Sequence, residues 1–375
     1  MRVFLIAGEA SGDKLGAALM AGLKVLRPDV TFDGVGGPLM QAEGLQSRFP
    51  MEELSVMGLA EILPKYRALK ARIRETADAV LADPPDVLIT IDSPDFCLRV
   101  ARLVKAASDI RTVHYVAPTV WAWRPGRAEK MARYIDHVLA LFPFEPPLMQ
   151  AAGMACDFVG HPVVAEPVAR ADEAAALGKG TVVLVLPGSR KGEVSRLADR
   201  FGKAAELIAA AIPDVEFVLP TTRGVHELVQ GRVAGWNVPV RVLPPGSPDK
   251  AAWFRRADVA LAASGTVSLE LAASRTPMVI AYDMAWLSRI IISRMLMVDT
   301  VTLVNLVSDT RVVPEYIGEA CQPGPIADAV LAVLDDPADQ LAAMAVTMER
   351  LGQGGEAPGL RAARAVLERL EKPSI

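Results

Sequence analysis

The stretch Thr181–Val194, TVVLVLPGSRKGEV, constrains this chain more than any other. Its five apolar, mostly β-branched residues Val182–Leu186 read as a strand buried on both faces, the mark of a parallel sheet covered by helices. A Pro-Gly-Ser turn follows, and Arg190 stands where the next helix should begin. A buried strand, a tight turn and a helix N-terminus form an anion site, because unpaired N–H groups and the helix dipole both favour negative charge. Arg190 adds a planar fork suited to phosphate. By itself the stretch fits a plain βα turn with a surface arginine equally well. Its position favours the anion site: it opens a second α/β half, and the residues before it read as a first.

The 375 residues suit two domains, each able to bury its own core. Hydrophobic residues make up 51% and charged ones 22%, as in a globular, rather apolar chain. A net charge of −4 argues against bulk nucleic-acid binding, which needs a basic footprint. Cys97, Cys156 and Cys321 show neither pairing nor metal spacing, so a reducing cytosol is expected. No uncharged apolar run approaches the ~18 residues of a membrane span. The opening MRVFLIAGEASGD has too short an apolar core for a secretion signal and meets Glu9 at once. The expectation is a soluble protein whose membrane contact, if any, comes from its surface.

The first half opens with a buried strand, Arg2–Ala7, a turn from Gly8 to Asp13, and a periodic helix from about Leu15 to Leu26. There is no Gly-Lys-Ser/Thr and no G-x-G-x-x-G, and Glu9 and Asp13 put negative charge where a pyrophosphate would lie. A structural turn is the default reading there, and a hydroxyl-binding loop the sharper one. Gly34–Gly37 also lacks the fingerprint spacing. Val87–Ile91 is the next buried strand and ends in Asp92-Ser93-Pro94-Asp95-Phe96. In open α/β sheets the functional crevice lies beyond the carboxyl ends of the strands, where Asp92 stands. A carboxylate there accepts the proton of an attacking hydroxyl, worth ~10²–10⁴ in rate. The alternative is an Asp capping the following helix, a place that suits Asp95 better, so Asp92 is the candidate base. Strand Thr112–Val116 runs into Trp121, Trp123 and Arg124, which suit either packing or the wall of a ligand cleft. Strand His137–Phe142 closes the half, and Gly160–Pro167 reads as a linker.

In the second half, helix Leu197–Ile212 and strands Val215–Leu219 and Val259–Ala262 continue the alternation. Ser264, Gly265 and Thr266 fall at a second helix N-terminus, suited to hold a diphosphate without a metal. Glu270, one helical turn further, is placed to accept hydrogen bonds from ribose hydroxyls. No Asp-x-Asp pair and no His/Cys/carboxylate cluster is present, so neither a metal site nor another cofactor is expected. Asn305 follows Thr302–Val304 at an expected strand-to-loop switch. Leu341–Leu351 and Leu360–Leu370 are apolar-periodic, split by Gly352–Gly359, and the second is expected to cross back onto the first half.

One element is of another character. Val56, Met57, Leu59 and Ile62 form an apolar run, and Lys65, Arg67, Lys70, Arg72 and Arg74 follow it. Aliphatic groups in the lipid with cations on its phosphates make a membrane-surface or acyl-binding element. A core helix with a solvated basic face is the alternative. A second basic-apolar stretch, Trp286–Val298, tilts the choice toward lipid.

Several motifs together resemble bacterial lipid-A-disaccharide synthases. They are SGD at Ser11–Asp13, VMGLAEIL at Val56–Leu63, IDSPDF at Ile91–Phe96 and HYVAPTVWAWR at His114–Arg124. FPFE at Phe142–Glu145, GHP at Gly160–Pro162, LPGSR at Leu186–Arg190 and ASGT with Leu269-Glu270 follow in the family's order. The resemblance implies an α/β fold of the GT-B architecture, two Rossmann-like domains with parallel sheets facing across a cleft. It assigns 1–165 to an acceptor- and lipid-binding domain, 166–345 to a UDP-sugar domain, and 346–375 to a helical segment packing back toward the first. It implies a metal-independent, inverting glycosyltransferase. That enzyme joins UDP-2,3-diacylglucosamine to 2,3-diacylglucosamine 1-phosphate, giving the β-1,6-linked tetraacyl disaccharide phosphate and UDP. The family's essential aspartate falls on Asp92, its loop arginine on Arg190, and its uridine-diphosphate contacts on Ser264–Thr266 and Glu270. A further nucleotide-side residue falls on Asn305, although the family's Pro before it is Val304 here. Amphiphilic substrates imply a cytoplasmic enzyme held peripherally on the inner face of the cytoplasmic membrane, with a homodimer left open. The rivals are another UDP-sugar transferase or an epimerase of this architecture, and a non-catalytic lipid or nucleotide-sugar binding protein. UDP release separates catalysis from binding, and acceptor dependence separates transfer from epimerisation.

Overall fold

The structure, a computed structural model, describes residues 1–54, 59–124, 126–284 and 297–371, without the side chains of 59–66. The chain divides into two compact units, Met1–Ala165 with Gly354–Ile375, and Glu166–Gln353.

In the first unit the strands are β1 (Arg2–Ala7), β2 (Thr31–Val35), β3 (Val87–Ile91), β4 (Arg111–Tyr115), β5 (His137–Ala140) and β6 (Ala155–Phe158). They are all parallel, in the order β2-β1-β3-β4-β5-β6. The connections after β2, β3 and β4 all step the same way along the sheet. Right-handed crossover therefore puts helices Leu59–Ala82, Pro94–Ala107 and Arg127–Met131 on one face. Ile73, Val80, Phe96, Val100, Val104 and Met131 from these helices pack on Phe4, Ile6, Leu88 and Val138 of the sheet. The step from β1 to β2 runs the other way, so helix Ala10–Leu26 covers the opposite face, and the final helix Pro358–Glu371 packs against it. Arg369 grips Asp157 with two bonds of 3.0 Å, and Arg27 pairs with Glu371 at 2.8 Å. The C-terminal helix thus returns to the first unit, as expected.

In the second unit β7 (Val182–Leu186), β8 (Glu216–Pro220), β9 (Val240–Leu243), β10 (Val259–Ala262), β11 (Met278–Tyr282) and β12 (Glu315–Ile317) are again all parallel. Their order is β12-β11-β10-β7-β8-β9, so the strand that comes first in sequence lies in the middle. This is the doubly wound arrangement with its switch point between β7 and β10. Val183, Val185, Phe201, Ile208, Phe217, Leu261 and Val330 form its core.

Three local expectations change. The first helix begins at Ala10, so Ser11–Asp13 is helical rather than a turn. Strand β5 stops at Ala140, because the N–H groups of Leu141 and Phe142 turn to the Glu145 carboxylate. Asn305 lies in a helix, Leu303–Ser308, not at a strand end. The β-branched Thr300–Thr302 favour a strand, but the Glu315 carboxylate takes the N–H groups of Val301 and Thr302, which a ladder would need. Among the described residues no helix is long and apolar enough to cross a membrane.

Candidate active site

Asp92 leaves the carboxyl end of β3 at the switch point of the first sheet, between β1 and β3. It and Ser93 both take left-handed backbone conformations, with φ of 49° and 43°. Two such non-glycine residues in a row cost about 1–3 kcal/mol each and persist only when their surroundings hold them. Here the Asp92 N–H donates to Tyr115 O at 3.0 Å, and Ser93 O accepts from Phe96 and Cys97. A Cβ on Gly8 would lie 2.5 Å from Ser93 Oγ, so the turn after β1 must carry a glycine for the two loops to approach. Burial pushes the Asp92 carboxyl above its ordinary value, and the Ser93 N–H only partly draws it back. Among the described residues no side chain hydrogen-bonds to it, so it is a half-buried base with a free face. Neither Asp92 nor Asp95 caps the next helix: Ser93 is the N-cap residue, no side chain makes the capping bond, and Asp95 is exposed in the first turn.

The neighbouring turns are equally constrained. Val116, at the end of β4, has φ 85°, an outlier for a β-branched residue. His114 is buried with its Nδ1 2.8 Å from Thr90 Oγ1, and desolvation pushes its pKa down to about 4, so the ring is neutral. Asp13 accepts the N–H groups of Gly37, Leu39 and Met40 at 2.9 to 3.0 Å, which makes it structural. Trp121 packs edge-on against Phe142 and Phe144, while Trp123 lies partly exposed beneath Arg124. The residue that sequence reasoning carried only inside a motif is Glu145. It is buried, and its carboxylate accepts Leu141 N–H, Phe142 N–H and Trp121 Nε1–H at 3.1, 3.0 and 3.3 Å. Desolvation outweighs these bonds and raises its pKa to about 7.

In the second unit the loops after β7 and β10 leave side by side, joined by Ala263 N–H to Leu186 O at 2.8 Å. Arg190 is the N-cap residue of helix Lys191–Ala211, as expected, and its side chain is 68% exposed. The loop's anion-binding capacity is partly taken by the chain's own Glu193. That carboxylate accepts Ser189 and Arg190 N–H at 3.2 and 3.3 Å and pairs with Arg190 Nη1 at 3.1 Å. Glu193 stands three residues after the N-cap and makes the glutamate half of a capping box, whereas Arg190, a donor only, cannot make the other half. Gly188, at φ 112°, is required: a Cβ there would lie 2.5 Å from Glu193 Oε2. The Ser264–Thr266 loop is different. Among the described residues no backbone or side-chain acceptor takes the N–H groups of Ser264, Gly265, Thr266 and Val267. A Cβ on Gly265 would meet nothing within 4 Å. This is an open cradle at the N-terminus of helix Val267–Ser274.

Glu270 stands one turn into that helix and pairs with Lys250 at 2.9 Å, a half-exposed bond of small worth that a ligand hydroxyl can displace. Asn305 is buried and fully engaged. Its Nδ2 donates to Thr300 Oγ1 and Val313 O at 3.2 and 3.0 Å, and its Oδ1 accepts Val313 N–H at 3.0 Å. It braces residues 300–313, from which Val301 O accepts a 3.4 Å bond from Ser264 Oγ. The structure thus gathers Arg190, Ser264, Gly265, Thr266 and Glu270 around one switch point and sets Asn305 behind them. Among the described residues no three His, Cys, Asp or Glu side chains converge as metal ligands.

Of the lipid-facing candidates, Val56 and Met57 lie outside the described residues, as do the side chains of Leu59, Ile62 and Lys65 and residues 285–296 of the second stretch. Arg67 and Lys70 are exposed. Arg72 is not a free cation: it pairs with Glu53 and Glu75 at 2.8 Å and lies 4.4 Å over the Phe49 ring, pinning its helix to the preceding loop.

Two parallel sheets, each wound about its own switch point, define an α/β protein of the GT-B type. The UDP-GlcNAc 2-epimerase of Neisseria meningitidis, solved bound to UDP-GlcNAc, shares this fold with a TM-score of 0.62 at 12% identity, covering 100% of both chains. The family model described as lipid-A-disaccharide synthetase matches residues 3–365. The lipid-A-disaccharide synthase of Ruegeria pomeroyi is 64% identical over 99% of this chain and 96% of the relative. That of Rhodospirillum centenum is 47% identical over 100% and 96%. The chain belongs to the lipid-A-disaccharide synthase family.

Proposed function

We propose that the protein forms the lipid A disaccharide by transfer from UDP-2,3-diacylglucosamine to the 6-hydroxyl of 2,3-diacylglucosamine 1-phosphate, with Asp92 as general base. The observation that carries this assignment is the unpaired, desolvated Asp92 carboxyl at the switch point of the first sheet. Desolvation moves its basicity toward that needed to take a hydroxyl proton near neutral pH. In the second unit the free N–H groups from Ser264 to Val267 cradle the diphosphate, and Arg190 adds charge to the departing UDP. Glu270 accepts from the ribose once released by Lys250, and Asn305 keeps the 300–313 segment in place behind the cradle. Inversion is a single displacement: the acceptor oxygen bonds to the anomeric carbon, its proton passes to Asp92, and UDP leaves with the electron pair.

Both substrates are amphiphiles, so the protein works on the inner face of the cytoplasmic membrane, with the apolar run Val56–Ile62 receiving acyl chains and Lys65, Arg67 and Lys70 meeting lipid phosphates. The test is incubation of the purified chain with both acylated sugars and detection of disaccharide and UDP by mass spectrometry. Asp92→Asn should cut turnover by at least ~10²-fold while leaving UDP affinity unchanged. Normal turnover in Asp92→Asn, with loss in Asp95→Asn, moves the base to Asp95.

A further inference from the structure

Helices Pro94–Ala107 and Arg127–Met131, neighbours on one face of the first sheet, line a solvent-open pocket of about 560 Å³. Its lining includes Arg99, Arg102, Lys105, Arg127, Lys130 and Arg133, against one carboxylate, Asp95. Lys105 is neutralised by Asp136 at 2.8 Å. Among the described residues the other five cations form no ion pair. The chain as a whole is acidic, with 44 Asp and Glu against 40 Lys and Arg, so carboxylates are not scarce. Arg99, Arg102, Lys130 and Arg133 are solvated and Arg127 is half-buried, so five cations beside the single carboxylate Asp95 leave the pocket with a positive field that attracts an anion. Four of the five are arginines, whose forks match phosphate oxygens in pairs. Leu98 and Met131 supply apolar lining between the charges. The volume fits a single headgroup, as pockets for small molecules run to roughly 300–1,000 Å³. It is a concave pocket rather than the extended stripe that a nucleic acid needs.

We propose that this pocket binds the phosphate-bearing headgroup of an anionic amphiphile. Two sources share that chemistry. One is the sugar 1-phosphate acceptor, since Pro94 and Asp95 of the lining stand two and three residues after Asp92 in the chain. The other is an anionic phospholipid of the bilayer, since Arg67 and Lys70 stand exposed on helix Leu59–Ala82 of the same sheet face. The acceptor arm rests on the proposed reaction, and the phospholipid arm on the proposed membrane contact of Arg67 and Lys70.

The test is a quadruple variant of the full chain, Arg99→Gln, Arg102→Gln, Lys130→Gln and Arg133→Gln, checked for a wild-type melting curve. If the quadruple variant melts early, Arg102→Gln with Lys130→Gln replaces it. Glucosamine 1-phosphate affinity is read by calorimetry. Flotation is read with phosphatidylcholine vesicles, with and without phosphatidylglycerol. The pocket is confirmed by a loss of at least about tenfold in one assay that shrinks as salt is raised. Loss of sugar-phosphate binding assigns the acceptor, and loss of flotation on anionic vesicles alone assigns the bilayer. A folded variant that equals wild type in both overturns the proposal. Because both assays read binding, Asp92→Asn should retain it, so failure of the base assignment leaves a separate signature.

Discussion

Replacing Glu145 by Gln should flatten the pH dependence of stability by an amount the structure sets. The Glu145 carboxyl titrates at about 7 in the fold, against 4.5 for an unperturbed glutamate, because burial disfavours its charge. The fold therefore holds this proton more tightly than the unfolded chain does. Below pH 4.5 both states are protonated and the group contributes nothing; between 4.5 and about 7 the unfolded chain ionises first, and stability falls as pH rises. At 1.36 kcal/mol per pH unit, the full loss is about 3 kcal/mol. The substituted glutamine never ionises, and its carbonyl can still accept the Leu141 and Phe142 N–H groups. Its amide NH₂ would face Trp121 Nε1–H, donor against donor, at a cost of about 1–3 kcal/mol. The variant should then be less stable than wild type near pH 5 by about that amount, and equal or more stable near pH 8. Guanidinium titrations at both pH values, followed by tryptophan fluorescence, read the difference directly. A wild-type-minus-variant difference that stays constant across the range refutes the protonated Glu145.

Arg190→Ala should weaken UDP binding or slow its release, and Arg190→Lys should restore only part, since the fork is lost; unchanged calorimetric affinity and turnover in Arg190→Ala remove it from the site. Activity should survive EDTA, because N–H groups and a guanidinium carry the diphosphate charge, and loss restored by Mg²⁺ would contradict that. Exchanging Arg67 and Lys70 for Gln should lower attachment to anionic liposomes by up to about 1 kcal/mol per cation, less at high salt. Exchanging Arg72 should instead lower the melting temperature, as it breaks the Glu53 and Glu75 pairs. Flotation and melts run on the same samples separate the two, and early melting in the Arg67/Lys70 variant would count against a lipid-facing role.

Whatever local periodicity controls is legible in the chain before it folds. Runs of five such as Val87–Ile91 and Val182–Leu186 read as buried strands because they are short, rich in β-branched residues and followed by Ser-Pro or Pro-Gly turn residues. Asp92 and Ser264–Thr266 fall at strand ends for the same reason, and the order of the family motifs ties these loops to one chemistry. Relations between residues far apart in the chain are set by the fold alone. Asp13 is structural because Gly37–Met40 come to it, Arg72 is tied because Glu53 does, and Asn305 is turned inward by Val313. Strand order makes the loops after β7 and β10 leave together, and Glu193, by occupying the first, leaves the open cradle to the second. A side chain's type and spacing state which bonds it is able to make, whereas packing settles which partner is near enough to make them.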